Sequence, residues 1–228
     1  MILVETWELA AVVCSRLLAD CRVFAFDLEG VNLGRKGHVT LLQIAVDERT
    51  SFCFDILVLG QRLFGPDFLG PLFTSPHILK ICFDCRVDGD VLQSHFGLKL
   101  STLYDIQVLY TLLFQARTDR YLKGMRHVLL MPGVVEHSTA LESVLCTKRR
   151  MKDLMARKHI FLERPIAAEV LQYCGADVLY LLRMHSLWQH SLPSERIIAK
   201  SMDRLSQFYT RSSEIPARKM AEIDFARC

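Results

Sequence analysis

Residues 22–30 read Arg22-Val23-Phe24-Ala25-Phe26-Asp27-Leu28-Glu29-Gly30, and this stretch decides the fold. Val23 to Phe26 is apolar and β-rich, which predicts a buried strand. Asp27 and Glu29 follow at i and i+2 at its end. In a strand that spacing points both side chains to one face. Two carboxylates on one face repel each other unless a cation lies between them. A solvated strand end carries the same pattern, so the pair has to be weighed with the rest of the chain.

Outward from this strand the pattern is mixed. Thr6 can cap a helix over 6–19, with Leu9, Val12, Val13 and Leu17 on one face. The loop 32–37 holds Gly34 and Gly37. Strands are predicted over 39–46 and 51–56, joined by the polar turn Asp47-Glu48-Arg49-Thr50. A short helix is predicted from Gly65-Pro66 to Phe73, and a strand over 78–83. Asp88 opens a helix that stops at Gly97. A short strand at 102–104 leads into a helix capped by Asp105. Pro165 can start a helix at its first turn, running through Tyr173 and Asp177 to Trp188. Beyond Pro193 the chain is polar and short of apolar periodicity. Three strands, then alternating helix and strand, then helices give an α/β layer fold with a mixed sheet.

Length and composition set bounds. The 228 residues suit one α/β domain, or a domain over 1–192 followed by a helical or partly disordered tail over 193–228. No apolar run reaches the roughly 20 residues of a membrane span. Glu5 and Glu8 precede the first basic residue, Arg16, which argues against a secretory or mitochondrial leader. Cytoplasm or nucleus is the expected compartment, and no membrane partner is expected. The eight cysteines are scattered, and Cys82-Phe83-Asp84-Cys85 has no second pair to complete a zinc site. Buried free thiols in a reducing compartment are the expectation.

Net charge is +3, but it is uneven. Residues 117–158 hold ten Lys/Arg against four Asp/Glu, an excess that would attract a polyanion. A solvated basic surface with no partner has the same composition.

Two further segments carry acids. Asp88 lies in Cys85-Arg86-Val87-Asp88-Gly89-Asp90, where a helix cap explains it by itself. Tyr173 and Asp177, in Tyr173-Cys174-Gly175-Ala176-Asp177, are neighbours at i and i+4 on a face otherwise apolar (Val170, Leu181). A buried Tyr–Asp pair is also a common structural device. Asp84 and Asp90 flank Asp88, and the spacing from Lys80 favours Asp88. Four carboxylates and a tyrosine together form an oxygen-rich set suited to Mg²⁺ or Mn²⁺. Two such ions can stabilise the attacking and leaving oxygens of a phosphodiester.

The combination resembles the DEDD exonuclease superfamily in its tyrosine branch, as in ribonuclease D. The matching segments are Phe26-Asp27-Leu28-Glu29-Gly30 with Leu41-Leu42-Gln43-Ile44-Ala45, then Lys80 to Asp88, then Leu103 to Leu109. The last are Arg164-Pro165-Ile166 and Tyr173 to Leu181. Residues 29–37 further resemble the Egalitarian-like group of exonuclease-domain proteins. The resemblance implies a ribonuclease H-like mixed sheet, an antiparallel meander plus parallel strands, flanked by helices. It also implies a metal-dependent 3′→5′ exonuclease releasing nucleoside 5′-monophosphates, with single-stranded RNA favoured and DNA allowed. By the same resemblance Asp27 would bridge two divalent ions (Mg²⁺ or Mn²⁺). Glu29 and Asp177 would complete the first ion's shell and Asp88 would hold the second. Tyr173 would orient the attacking water. Arg35, Lys36, Lys148, Arg149 and Arg150 are the candidates for nucleic-acid contact. Phe83 stands where ribonuclease D has a histidine, and the residues after 190 are too few for its helical nucleic-acid-binding domains. The rival expectation is a catalytically weak or inactive RNA-binding adaptor on the same fold. A protein partner that recruits the substrate fits either reading.

Overall fold

The computed structural model describes residues 1–116, 118–157, 159–210 and 222. Arg117 and Lys158 of the basic segment, and most of the chain after Thr210, lie outside the described residues.

The strands are β1 (Ile2–Val4), β2 (Val23–Val31), β3 (His38–Ala45), β4 (Ser51–Asp55), β5 (Leu79–Cys82) and β6 (Leu103–Asp105). They form one sheet in the order β1-β4-β3-β2-β5-β6. β2, β3 and β4 are successive antiparallel neighbours, while β5, β6 and β1 join in parallel. This is the mixed sheet expected, with the antiparallel meander beside the parallel strands. β1 escapes the sequence reading because three residues show no alternation.

The helices are α1 (Trp7–Asp20), α2 (Ile56–Leu59), α3 (Gly70–Thr74), α4 (Arg86–Phe96), α5 (Ile106–Phe114), α6 (Met125–Val128), α7 (Ser138–Arg157), α8 (Ala168–Trp188) and α9 (Ser194–Thr210). Thr6 caps α1 through its hydroxyl, which accepts from Leu9 N–H at 3.3 Å. Asp105 caps α5, and Gly97 ends α4 in the left-handed conformation. Among the described residues no helix is long and apolar enough to cross a membrane.

β2 runs on to Val31, so Asp27 and Glu29 stand inside the strand rather than at its end, and three helix starts also move. The helix expected from residue 65 starts at Gly70; before it, Gln61–Phe64 forms a 3₁₀ turn that Gly65 closes by bonding Arg62 O. α4 starts at Arg86, two residues before Asp88, because the Arg86 guanidinium is held by Asp84. α8 starts at Ala168 rather than Pro165. Arg164 is fastened to Asp55 at 2.8 Å, and Ala167 is extended, so the chain enters the helix only after it has left that anchor.

Strand alternation sorts the core into two faces. Phe24, Phe26 and Leu28 pack with Leu42, Ile44, Phe54 and the buried side of α1. Ala25, Ala45, Ile81 and Tyr104 pack with α5 and α8 on the other face. Asp27 and Glu29 therefore project toward α8. Burying each large side chain in these layers contributes about 1.5–3 kcal/mol.

The chain after Pro193 begins with α9, which buries Ile197, Ser201, Arg204 and Leu205. Gly89 on α4 leaves room for this close approach: a Cβ there would stand 2.6 Å from Leu205 Cδ1, and the leucine would have to shift. Arg204 donates to Asp105 at 2.9 Å, and Ser201 Oγ accepts from Asp105 N–H at 3.0 Å.

Candidate active site

Three elements bring the predicted acids together. β2 supplies Asp27 and Glu29, α4 supplies Asp88, and α8 supplies Tyr173 and Asp177. Carboxylate oxygens of Asp27, Glu29 and Asp177 all lie within 4.8 Å of one another. Asp88 sits in the first turn of α4, close enough for its charge to act on both β2 acids. Tyr173 lies close enough to Glu29 to favour its ionised form.

A local irregularity aims Glu29. The β2–β3 register shifts between Glu29 and Gly30, a bulge of the kind that re-aims a side chain. Gly30 is required there, because a Cβ would lie 2.0 Å from His38 O. Asp84, at φ 55°, makes the sharp turn from β5 into α4 and so places Asp88.

The acids are electrostatically stressed. Burial, then Asp88, Glu29 and Asp177, hold the Asp27 carboxyl well above its ordinary range. Burial, then Asp177 and Asp88, do the same to Glu29. Burial pushes Asp88 up to about 7, and burial with Asp177 and Glu29 beside it pushes the Tyr173 hydroxyl up. A cation among these oxygens would relieve both the repulsion and the desolvation. Asp177 Oδ2 is buried with no hydrogen-bond partner among the described residues, so it has a free lone pair to offer. An all-oxygen donor set and an orphaned carboxylate oxygen both fit a hard divalent cation.

The basic candidates divide. Lys36 and Arg149 are exposed. Arg150 is exposed but paired with Glu169 at 2.9 Å. Arg35 is drawn back onto Asp90, with Nη2 to Oδ1 at 2.8 Å, and fixes the loop 32–37 against α4. Lys148 does not face outward. Its ammonium donates to Asp177 Oδ1 and stands 5.0 Å from the centre of the Tyr173 ring.

Gln43 is a residue whose place sequence reasoning left unexplained. It stands opposite Asp27 across β2–β3 and is fully buried. Neither of its amide atoms has a partner among the described residues. A polar residue in the otherwise apolar run Leu41 to Ala45 was the available signal.

Residues 1–192 match the 3′–5′ exonuclease family model. The chain belongs to the 3′–5′ exonuclease family. Among curated relatives, a piRNA biogenesis protein EXD1 from Xenopus laevis is 31% identical over 214 residues, 91% of this chain and 47% of that protein. The Mus musculus counterpart is 27% identical over 216 residues, 90% of this chain and 37% of that protein. The exonuclease-family chain thus spans less than half the length of these two relatives. In three dimensions it is similar to Trypanosoma brucei RNase D, with a TM-score of 0.77 at 22% identity, over 97% of this chain and 77% of that one. It is also similar to Escherichia coli RNase D, with a TM-score of 0.65 at 21% identity, over 94% of this chain and 51% of that one. These two likenesses describe the fold.

Proposed function

We propose that this chain is a metal-dependent 3′→5′ exonuclease that shortens RNA from its 3′ end to nucleoside 5′-monophosphates. The observation that carries the reading is the convergence of Asp27, Glu29 and Asp177 within 4.8 Å, with Tyr173 beside Glu29. Asp27, Glu29 and Asp177 would hold one divalent cation, and Asp27 with Asp88 a second. Mg²⁺ or Mn²⁺ bound there supplies activation of the attacking water and charge stabilisation at the leaving 3′-oxygen.

The protein's own groups do the rest. The Tyr173 hydroxyl, held protonated by burial and by the acids around it, can donate to and orient the water. β2 fixes two ligands with one strand, and α8 fixes a ligand and the orienting hydroxyl with one helix turn. The acids are therefore spaced before the substrate arrives. Lys36 and Arg149, exposed in the loop after β2 and on α7, are placed for backbone contact.

RNA is favoured over DNA because the curated relatives are named for piRNA biogenesis. A T. brucei RNase D complex with RNA U12 also shares the fold, with a TM-score of 0.77 at 22% identity. The free cysteines, seven among the described residues, support a reducing compartment, cytoplasm or nucleus.

The test is a degradation time course on 5′-labelled single-stranded RNA and DNA, with Mg²⁺, Mn²⁺ or EDTA, wild type beside Asp27→Asn. The expected result is a metal-dependent ladder shortening from the 3′ end of RNA, absent in the variant. No ladder, with RNA still bound, would overturn the exonuclease and leave an adaptor.

A further inference from the structure

Lys148 is set apart from its neighbours on α7. Its side chain is 12% exposed, against 67% for Arg150 two positions on. It leaves the basic outer face and enters the acidic cluster, where it contacts Asp177 Oδ1 and lies beside the Tyr173 ring. Its charge also acts on Asp27 and Glu29, favouring the ionised form of both. Asp177 is thus split. One oxygen is held by an ammonium, and the other is buried without a partner among the described residues.

A lysine suits such a position. Its charge is compact and rides on four flexible methylenes, so it can leave a carboxylate without moving the backbone. An arginine fork would hold more rigidly. The same helix carries exposed Arg149 and Lys152, so a polyanion drawn to α7 arrives next to the ammonium.

We infer that Lys148 is a built-in counter-cation that a divalent metal must displace from Asp177, and that this exchange couples metal loading to nucleic-acid binding. A backbone phosphate that takes the ammonium frees the carboxylate for metal. By reciprocity, metal at Asp177 releases the ammonium for phosphate. Lys148 is a positioning residue here, acting through Asp177. The inference rests on the reading of the cluster as a metal site.

The experiment measures Mn²⁺ affinity from the free-ion electron paramagnetic resonance signal. It compares wild type, Lys148→Met, Lys148→Gln and Asp27→Asn, with and without a phosphorothioate-linked oligouridylate that resists cleavage. Both Lys148 variants should bind Mn²⁺ at least about tenfold tighter than wild type, the factor that losing one ordinary charged hydrogen bond as competitor supplies. The oligomer should tighten Mn²⁺ binding to wild type and leave the Lys148 variants nearly unchanged. Removing a nearby positive charge tightens cation binding by Coulomb's law alone, so the loss of the oligomer's effect in the Lys148 variants is what identifies the exchange. If Lys148→Met fails to fold, Lys148→Gln decides, since it keeps a donor of similar reach without the charge. Equal or weaker Mn²⁺ binding by the folded Lys148 variants, with wild type binding and Asp27→Asn not, overturns this inference alone. No Mn²⁺ binding by wild type overturns the metal site and the inference with it.

Discussion

Arg204 donates to Asp105 at 2.9 Å, and both side chains are almost fully buried. The pair joins α9, which follows residue 193, to the end of β6. Removing one partner of a buried pair leaves an uncompensated charge and costs about 3–5 kcal/mol. Arg204→Met should therefore lower the urea midpoint sharply. A chain ended at residue 192 should lose cooperative unfolding, because Asp105 and the α4 surface over Gly89 would both be uncovered. A cooperative, equally stable 1–192 fragment would show that α9 is dispensable.

Gly30→Ala tests the bulge. Its Cβ would lie 2.0 Å from His38 O, a backbone atom, so β2 and β3 must separate. Overpacking of this kind costs about 1–3 kcal/mol, and Glu29 should swing off the cluster. Chemical denaturation and Mn²⁺ titration of the same sample should both shift. A loss of stability with Mn²⁺ affinity intact would show that the bulge does not aim Glu29.

Tyr173→Phe removes the hydroxyl and keeps the ring against Lys148. On the exonuclease reading, kcat should fall about a hundredfold, the scale of a misplaced attacking group. Mn²⁺ affinity should change little. Unaltered kcat would leave Tyr173 a packing residue.

Stability should depend on pH in a direction set by the acids. Asp27, Glu29 and Asp88 are raised in the folded protein, Asp88 from 3.8 to about 7. The folded state then holds more protons than the unfolded state between the two values. Stability falls as pH rises through that window, from about 4 to about 7. The rise of Asp88 alone, about a thousandfold in proton affinity at roughly 1.4 kcal/mol per tenfold, accounts for a loss on the order of 4 kcal/mol, and Asp27 and Glu29 add to it in the same direction. On the metal-site reading, a divalent cation would bind the ionised acids and reverse the slope. Melting curves at pH 5 and 7.5, with EDTA and with Mn²⁺, should show opposite trends.

Lys36→Glu with Arg149→Glu should weaken RNA binding regardless of sequence. It should also reduce the salt slope by roughly 0.7 for each phosphate that is no longer neutralised. Fluorescence anisotropy across a salt series reads both. An unchanged slope would make these charges ordinary solvated surface.

Much of the site could be read from the sequence because its carriers are local. Asp27 and Glu29 follow from strand alternation, and Tyr173 and Asp177 from helix spacing. Their convergence in space agrees with the set the motifs picked out. The place of Lys148 beside Asp177 was not legible. It sits in a basic run, and only α7 packing on α8 turns it toward Asp177. A helix after residue 193 was among the expectations, but its docking was hard to see because its buried stripe includes Ser201 and Arg204, polar residues whose partners lie about a hundred residues away in sequence. β1 and the late start of α8 depend on contacts across the sheet, which a local window does not contain.

The acidic cluster draws on β2, α4 and α8, and its last carboxylate arrives only with Asp177. A ribosome making this protein therefore exposes Asp27, Glu29 and Asp88 before Asp177 leaves the exit tunnel. Order of synthesis thus sets a delay: the first three acids wait for the fourth, and the cluster closes only once α8 can fold back onto β2.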